Sequence, residues 1–267
     1  LHDYYFMRIF ETFSLCNRIK YWLKEVPYME KVLDLHIESA GYSDDVMVIH
    51  DINLDVYEGK MVGLLGPNGS GKSTTIKTLL GMNPFYKGVV SLPNGQSYAY
   101  LPEKPVFYFE MTLHEHIELM ATLLNLEESY WKKRTENLLQ LFEIDHVLHD
   151  SPSTFSKGMQ QKAMITLAFM KEVDLYVVDE PFIGLDPNAT KKLLNLLEYE
   201  KRRGAGILLS THVLDTAEKI CDSFVLLSDG RIKAKGALLD IQNQCNLEGA
   251  SLLDCFYKLS SKEVEKN

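Results

Sequence analysis

Two short stretches carry residue types and spacings that could do phosphate chemistry. Gly66–Thr74 reads GPNGSGKST, after the apolar run Met61–Leu65 and before an apolar helical pattern ending near Gly81. Gly66, Gly69 and Gly71 let backbone N–H groups converge on phosphate oxygens without an obstructing Cβ, with Pro67, Asn68 and Ser70 completing the turn. The helix start adds positive potential. Lys72 is a point charge for β and γ phosphates, Ser73 a hydroxyl ligand for Mg²⁺, and Thr74 a further phosphate donor. The second stretch, Leu175–Pro181, reads LYVVDEP. It delivers two carboxylates to the end of an apolar strand, where ligands bind in open α/β folds. Asp179 is suited to Mg²⁺ through water, and Glu180 to polarising an attacking water. A third stretch, FSKGMQQK at Phe155–Lys162, reads on its own as a helix start, with Ser156 at the N-cap.

The elements that must position these groups alternate strand and helix. Strands are predicted at Val32–Ile37, Val48–Val56, Met61–Leu65, Leu175–Val178, Gly206–Ser210, Phe224–Leu227 and Arg231–Lys235. Asn94–Gly95, between Val89–Leu92 and Ser97–Leu101, predicts a hairpin. Residues 112–150 read as helical, with capping-box spacing at Thr112 and Glu115. Glu128–Phe142 presents an apolar face of Trp131, Leu138, Leu141 and Phe142. A helix over Ala189–Arg203 should stop at Gly204, and Ser251–Leu259 closes as a short helix. The alternation predicts an α/β fold with a mainly parallel core sheet covered by helices.

Composition narrows the function classes. The 267 residues hold 46% hydrophobic and 24% charged residues, an ordinary globular balance. Net charge is −9, which weighs against a nucleic-acid partner. Mean hydropathy is −0.12, and no apolar run approaches the roughly 18 residues of a membrane span. Membrane work would therefore need a partner chain. Cys16, Cys221, Cys245 and Cys255 are scattered, which is read as free thiols in a reducing cytosol. His114 and His116 would diverge on a helix. His146, His149 and Asp150 are only weakly metal-like, with too few ligands. Residues 1–28 form an aromatic-rich extension with an apolar stripe of Phe6, Phe10, Phe13, Cys16, Ile19 and Leu23. Three readings stay open for it: a membrane-surface helix, a packed accessory helix, or a translated stretch upstream of the usual start.

Together the motifs resemble the nucleotide-binding subunit of an ABC transporter, in the family order from about Lys31 to at least Gly236. GPNGSGKST corresponds to the Walker A, FSKGM to the signature (usually LSGGQ), LYVVDEP to the Walker B with its adjoining glutamate, GLDP at Gly184–Pro187 to the D-loop, and Ser210–Thr211–His212 to the H-switch. YLPEKPVFY, DEPFIGLDP, STHVLDTAEKICDSF and ASLLDCFYKL look like the Ecs-type bacterial subfamily. The resemblance implies a P-loop NTPase fold over 29–245, with an antiparallel β region, an inserted α-helical subdomain at about 103–170 and a helical tail over 246–267.

It also implies ATP and Mg²⁺ as ligands, with Tyr42 stacking on adenine, Ser156 and Gly158 contacting the nucleotide of an opposing cassette, and Asp186 sensing that site. Glu180, His212 and Lys72 are the implied catalytic groups, and Ser73, Glu103 and Asp179 the Mg²⁺ ligands. Glu103 replaces the usual glutamine and adds negative charge. Lys157 and Met159 replace a glycine and a glutamine of the signature. The implied partners are a separate integral-membrane permease, reached through Glu103 and the 112–150 region, and a second ATP-binding subunit taken to be another copy of this chain. Phe107 and Tyr108 fit permease contact or ordinary core. The implied role is an ATPase at the cytoplasmic face of a membrane, serving an exporter of peptides or proteins. The competing reading is a non-transport ABC ATPase that assembles or remodels a complex.

Overall fold

The computed structural model describes residues 29–261. The extension over 1–28 and the last residues of the tail lie outside them. Two sheets organise the fold. Strands β1 (Lys31–Ser43), β2 (Val46–Tyr57) and β4 (Tyr86–Ser91) form an antiparallel sheet in the order β2-β1-β4. Strand β1 alternates buried and exposed side chains over Leu33–Glu38, because only one of its faces meets the core. The second sheet has the order β5-β6-β7-β3-β8-β9, built from β3 (Met61–Leu65), β5 (Tyr98–Leu101), β6 (Leu175–Asp179), β7 (Gly206–Thr211), β8 (Ser223–Ser228) and β9 (Arg231–Gly236). Its pairs are parallel except β8 with β9. Strands β3, β6 and β7 are buried at every residue, as expected of a sheet covered on both faces.

Helices α1 (Lys72–Leu79), α2 (Leu113–Leu123), α3 (Glu128–Phe142), α4 (Lys157–Phe169), α5 (Pro187–Arg203), α6 (Leu214–Ile220), α7 (Leu238–Cys245) and α8 (Leu252–Ser261) cover the sheets. One apolar cluster joins α2, α3, α4 and α5 to β6 and β7; a second lies between the two sheets and includes Ile76 of α1. The third gathers α6, α7 and α8 around Leu226 and Ala234.

Most boundaries follow local chemistry. Thr112 and Glu115 form the expected capping box, with Glu115 N–H donating to Thr112 Oγ1 (3.2 Å) and Thr112 N–H to Glu115 Oε2 (2.7 Å). Gly204 ends α5 at φ 109°, open to glycine because it has no Cβ. Two expectations fail. Strands β4 and β5 do not form a hairpin: Leu35 pairs with Val90, whereas Tyr98 pairs with Leu175 in the other sheet. Pro93–Gly95 makes one 3₁₀ turn. Asp174 Oδ2 then accepts from the Ser97 N–H (2.8 Å) and hydroxyl (2.9 Å), fixing the start of β5 beside β6. On α3, Leu138 and Phe142 are buried and Trp131 packs against the core as expected, but Leu139 is buried in place of Leu141, which is exposed.

Candidate functional site

The phosphate-type loop is held by its neighbours on both sides. It leaves β3, turns at Gly69 (φ 83°) and Gly71 (φ 107°), and enters α1 at Lys72. A Cβ on Gly71 would approach Ile49 Cγ2 to 2.4 Å, and one on Gly66 would approach Leu227 O to 2.2 Å. Close backbone approach is therefore a requirement of the fold as well as of a phosphate. Gly230 N–H donates to Ser70 O (3.1 Å), and His50 N–H to Gly230 O (2.8 Å), tying the loop to β2. Lys72 Nζ donates to Gly66 O (2.7 Å) and Pro67 O (3.3 Å) and lies 3.7 Å from Glu180 Oε1.

A cleft of about 330 Å³ opens over this loop, lined by Tyr42, Val48, Asn68, Gly69, Gly71, Lys72, Ser73, Thr74, Glu103, Glu180, Ile183 and His212. Tyr42 stands 71% exposed at the end of β1, a free ring face at the rim. Ten residues singled out in the sequence are thus brought together from five stretches of chain. Gly66, Ser70 and Asp179 are buried and Pro67 is exposed; these four do not line the cleft.

The carboxylates at the end of β6 differ in their attachment. Asp179 is buried, and its Oδ1 has no hydrogen-bond partner; Ser70 Oγ and Ser210 Oγ are likewise buried without partners. Burial, then the negative charges of Glu103 and Glu180, outweigh the nearby Ser210 hydroxyl and the Lys72 charge and hold the Asp179 carboxyl above its ordinary range. The same surroundings push Tyr100 up to about 12, through burial first and then Asp179 and Glu103. A buried, partnerless carboxylate oxygen among other oxygen donors is what a hard cation offsets. The donor set of Ser73, Glu103 and Asp179 therefore fits Mg²⁺. Glu180, in contrast, is fully engaged. Its backbone lies in the left-handed region (φ 46°), its N–H donates to Ser210 O (2.9 Å), and its side chain meets His212 Nδ1 (2.9 Å) and the Thr211 hydroxyl (3.2 Å).

The signature-like residues lie apart from this cleft. Ser156 N-caps α4, its Oγ accepting from Met159 N–H (3.3 Å). A Cβ on Gly158 would meet Gly184 O at 3.0 Å. Asp186 N-caps α5 through Ala189 N–H (2.8 Å), lies 3.6 Å from Lys162 Nζ, and is held below the usual carboxylate range chiefly by that N–H. Phe107 packs against the core, while Tyr108 is exposed beside Val106 and Phe109.

Sequence reasoning missed Val48, Ile183 and the contact of Thr211 with Glu180. Val48 and Ile183 carry no chemical signal of their own. Thr211 lies one residue from His212 on a strand paired with β6, which was the available clue. Among the described residues no group of three or more His, Cys, Asp or Glu side chains is arranged to hold a metal, the His146–Asp150 stretch included. His114 and His116 diverge: the first is half-buried near His149, the second buried against Phe107 and Tyr108. Cys221, Cys245 and Cys255 are free thiols. Among the described residues no helix is long and apolar enough to cross a membrane.

The ABC transporter domain family matches residues 49–183. An uncharacterised ABC transporter ATP-binding protein of Bacillus subtilis (strain 168), YthP, is 53% identical over 86% of this chain and 97% of that protein. EcsA of the same organism, an ABC-type transporter ATP-binding protein, is 40% identical over 85% of this chain and 95% of its own length. A solved ATP-binding subunit of an ABC transporter, 45% identical, superposes with a TM-score of 0.82 over 86% of this chain and 99% of that one.

Proposed function

This chain belongs to the ABC transporter ATP-binding family and is an ABC ATPase, and from that premise we propose how its residues divide the work. The observation that carries the reading is the convergence of the glycine-rich loop, Glu103, Glu180 and His212 on one cleft. Tyr42 takes the adenine ring, and the Gly66–Thr74 amides take the triphosphate. Lys72 exchanges its carbonyl partners for β- and γ-phosphate oxygens. Ser73, Glu103 and Asp179 would hold Mg²⁺, which would supply neutralising charge to the triphosphate. Glu180 accepts a proton from the attacking water as the water oxygen bonds to the γ-phosphorus and the bond to the ADP oxygen breaks. His212 keeps the γ-phosphate and the water in line.

Ser156 and Gly158 serve a second copy of this chain. Their separation from the cleft of their own chain accords with a head-to-tail pair, in which ATP bound by one copy is covered by the signature of the other. Asp186 reports on that opposite site. ATP thereby becomes part of the interface, so binding favours closure and hydrolysis favours opening. The pair sits at the cytoplasmic face of a membrane on a separate permease, which docks on the segment from Glu103 to Asp150, where Val106, Tyr108 and Phe109 are exposed. The cargo class is peptides or proteins, moved outward.

Purification of the full-length chain from detergent-solubilised membranes tests the assembly. An integral-membrane chain is expected to co-elute with it. Recovery of soluble partners alone would replace transport with complex assembly or remodelling. With Glu180→Gln and saturating Mg·ATP, cysteines placed near Ser70 and Ser156 should crosslink between copies; absence of that crosslink in the membrane assembly would overturn the paired site.

A further inference from the structure

Both oxygens of the Glu180 carboxylate are held, by residues of very different exposure. Oε1 meets His212 Nδ1 at 2.9 Å, and Oε2 accepts from the Thr211 hydroxyl at 3.2 Å. The His212 side chain is 46% exposed at the cleft, whereas Thr211 is fully buried at the end of β7. The pairing explains why Thr211 reaches Glu180. Strands β6 and β7 run parallel with Asp179 opposite Ser210, so Glu180, the first residue beyond β6, comes beside Thr211, the last residue of β7.

The Thr211 hydroxyl has a fixed direction. Val213 N–H donates to Thr211 Oγ1 at 3.2 Å, which occupies one lone pair of the oxygen and leaves its hydrogen for Glu180. The same contact anchors Thr211 to the residue that starts α6. Meanwhile the backbone of Glu180 is held in the left-handed region, with its N–H on Ser210 O. A non-glycine residue keeps that conformation only where its surroundings over-determine it. Main chain and side chain of Glu180 are thus both secured by β7, and Thr211 supplies the buried side-chain contact.

We propose that Thr211 is a positioning residue for ATP hydrolysis: its hydroxyl fixes one oxygen of Glu180 throughout the cycle, while His212 exchanges its hold on the other for the nucleotide. The inference rests on Glu180 being the group that activates water. It divides two neighbouring residues by exposure, one permanent and one exchangeable. Binding of ATP needs only the loop and Tyr42, so loss of the Thr211 hydroxyl acts on turnover and leaves nucleotide affinity in place.

The test is steady-state ATP hydrolysis by the full-length chain co-purified with its membrane partner, across a titration of Mg·ATP. Thr211→Val keeps shape and removes the donor; Thr211→Ser keeps the donor and removes a methyl group. For Thr211→Val, kcat should fall about 10- to 100-fold with KM changed less than about threefold, the pattern of a misplaced catalytic group. Thr211→Ser should recover kcat to within about threefold of the parent. Should the valine variant not fold, Thr211→Ala against Thr211→Ser makes the same comparison.

Glu180→Gln is the control for the underlying reading. If Glu180→Gln is inactive and Thr211→Val turns over like the parent, the Thr211 inference falls alone. If Thr211→Ser loses as much kcat as Thr211→Val, or if the change appears in KM, Thr211 acts through packing and the inference is overturned. If Glu180→Gln retains full turnover, the role of Glu180 falls and that of Thr211 with it.

Discussion

Asp179 and Glu200 are both buried carboxylates, in opposite company. Asp179, 4% exposed at the end of β6, has a carboxylate oxygen with no partner and lies near two further negative charges. Glu200, 0% exposed on α5, accepts from the Arg134 guanidinium at one oxygen and from Arg203 Nε (2.8 Å) at the other. Arg134 also donates to Phe169 O (2.8 Å) and Glu172 Oε1 (3.0 Å), and Arg203 to Val173 O. The network joins α3, the end of α4 and α5. A buried charge must be compensated. At Glu200 the chain does this itself, and the consequence is structural. At Asp179 the Ser210 hydroxyl and the Lys72 charge offset burial only in part, which accords with the proposed cation site.

The largest expected effect lies on the cleft side. Glu180→Gln should lower turnover roughly 10²- to 10⁴-fold while ATP still binds. Its melting midpoint should stay near that of the parent. Normal turnover in the membrane assembly would remove water activation from Glu180 and blur the distinction. The matching break on the other side is Glu200→Ala. It leaves Arg134 and Arg203 without their shared partner, and because both are partly open to water the cost falls near the lower end of the buried-pair range, about 3 kcal/mol. That corresponds to a fall in melting midpoint on the order of 10 °C at this chain length. ATP affinity below the transition should not change. A loss of affinity with an unshifted midpoint would mean that the network serves the nucleotide instead of the packing.

A third test exploits the sign of the Asp179 shift. A carboxyl raised above its unfolded value binds more protons in the folded state, so stability falls as pH rises from the ordinary carboxylate range through the folded value. At neutral pH, Asp179 therefore costs stability. Asp179→Asn should raise the melting midpoint in Mg²⁺-free buffer, by about 2–4 °C for each kcal/mol relieved, and abolish Mg²⁺-dependent hydrolysis. The gain should shrink as the pH is taken down towards the ordinary carboxylate range. An unchanged or lower midpoint at neutral pH would show Asp179 to be compensated within the chain, and the contrast with Glu200 would collapse.

The same contrast explains what could be read from the sequence. Gly66–Thr74 and Leu175–Pro181 were legible because each packs its chemistry into a few consecutive residues, between strand and helix patterns that fix its place. The Arg134–Glu200–Arg203 network was invisible: its members are scattered over 70 positions, and each looks like a solvated helix charge. The missed hairpin has a similar origin. Asn94–Gly95 carries a local turn signal, but Asp174, some 80 residues later, decides which sheet receives β5. Thr211 was legible as part of a motif, and its grip on Glu180 became visible only with the pairing of β6 and β7.

The smallest expected effect concerns Glu103, an acidic residue lining the cleft. Its charge raises Asp179 and Tyr100, so it adds to the deficit that the proposed Mg²⁺ would offset. Glu103→Gln keeps an oxygen at the same place and removes the charge. Half-maximal hydrolysis should then require several-fold more Mg²⁺, on the order of 1 kcal/mol for a partly solvated charge near the ion. At saturating Mg²⁺, kcat should change less than about threefold. Superimposable Mg²⁺ titrations would mean that the Glu103 charge is screened by water in the cleft. The uncompensated charge would then reside on Asp179 and Glu180 alone.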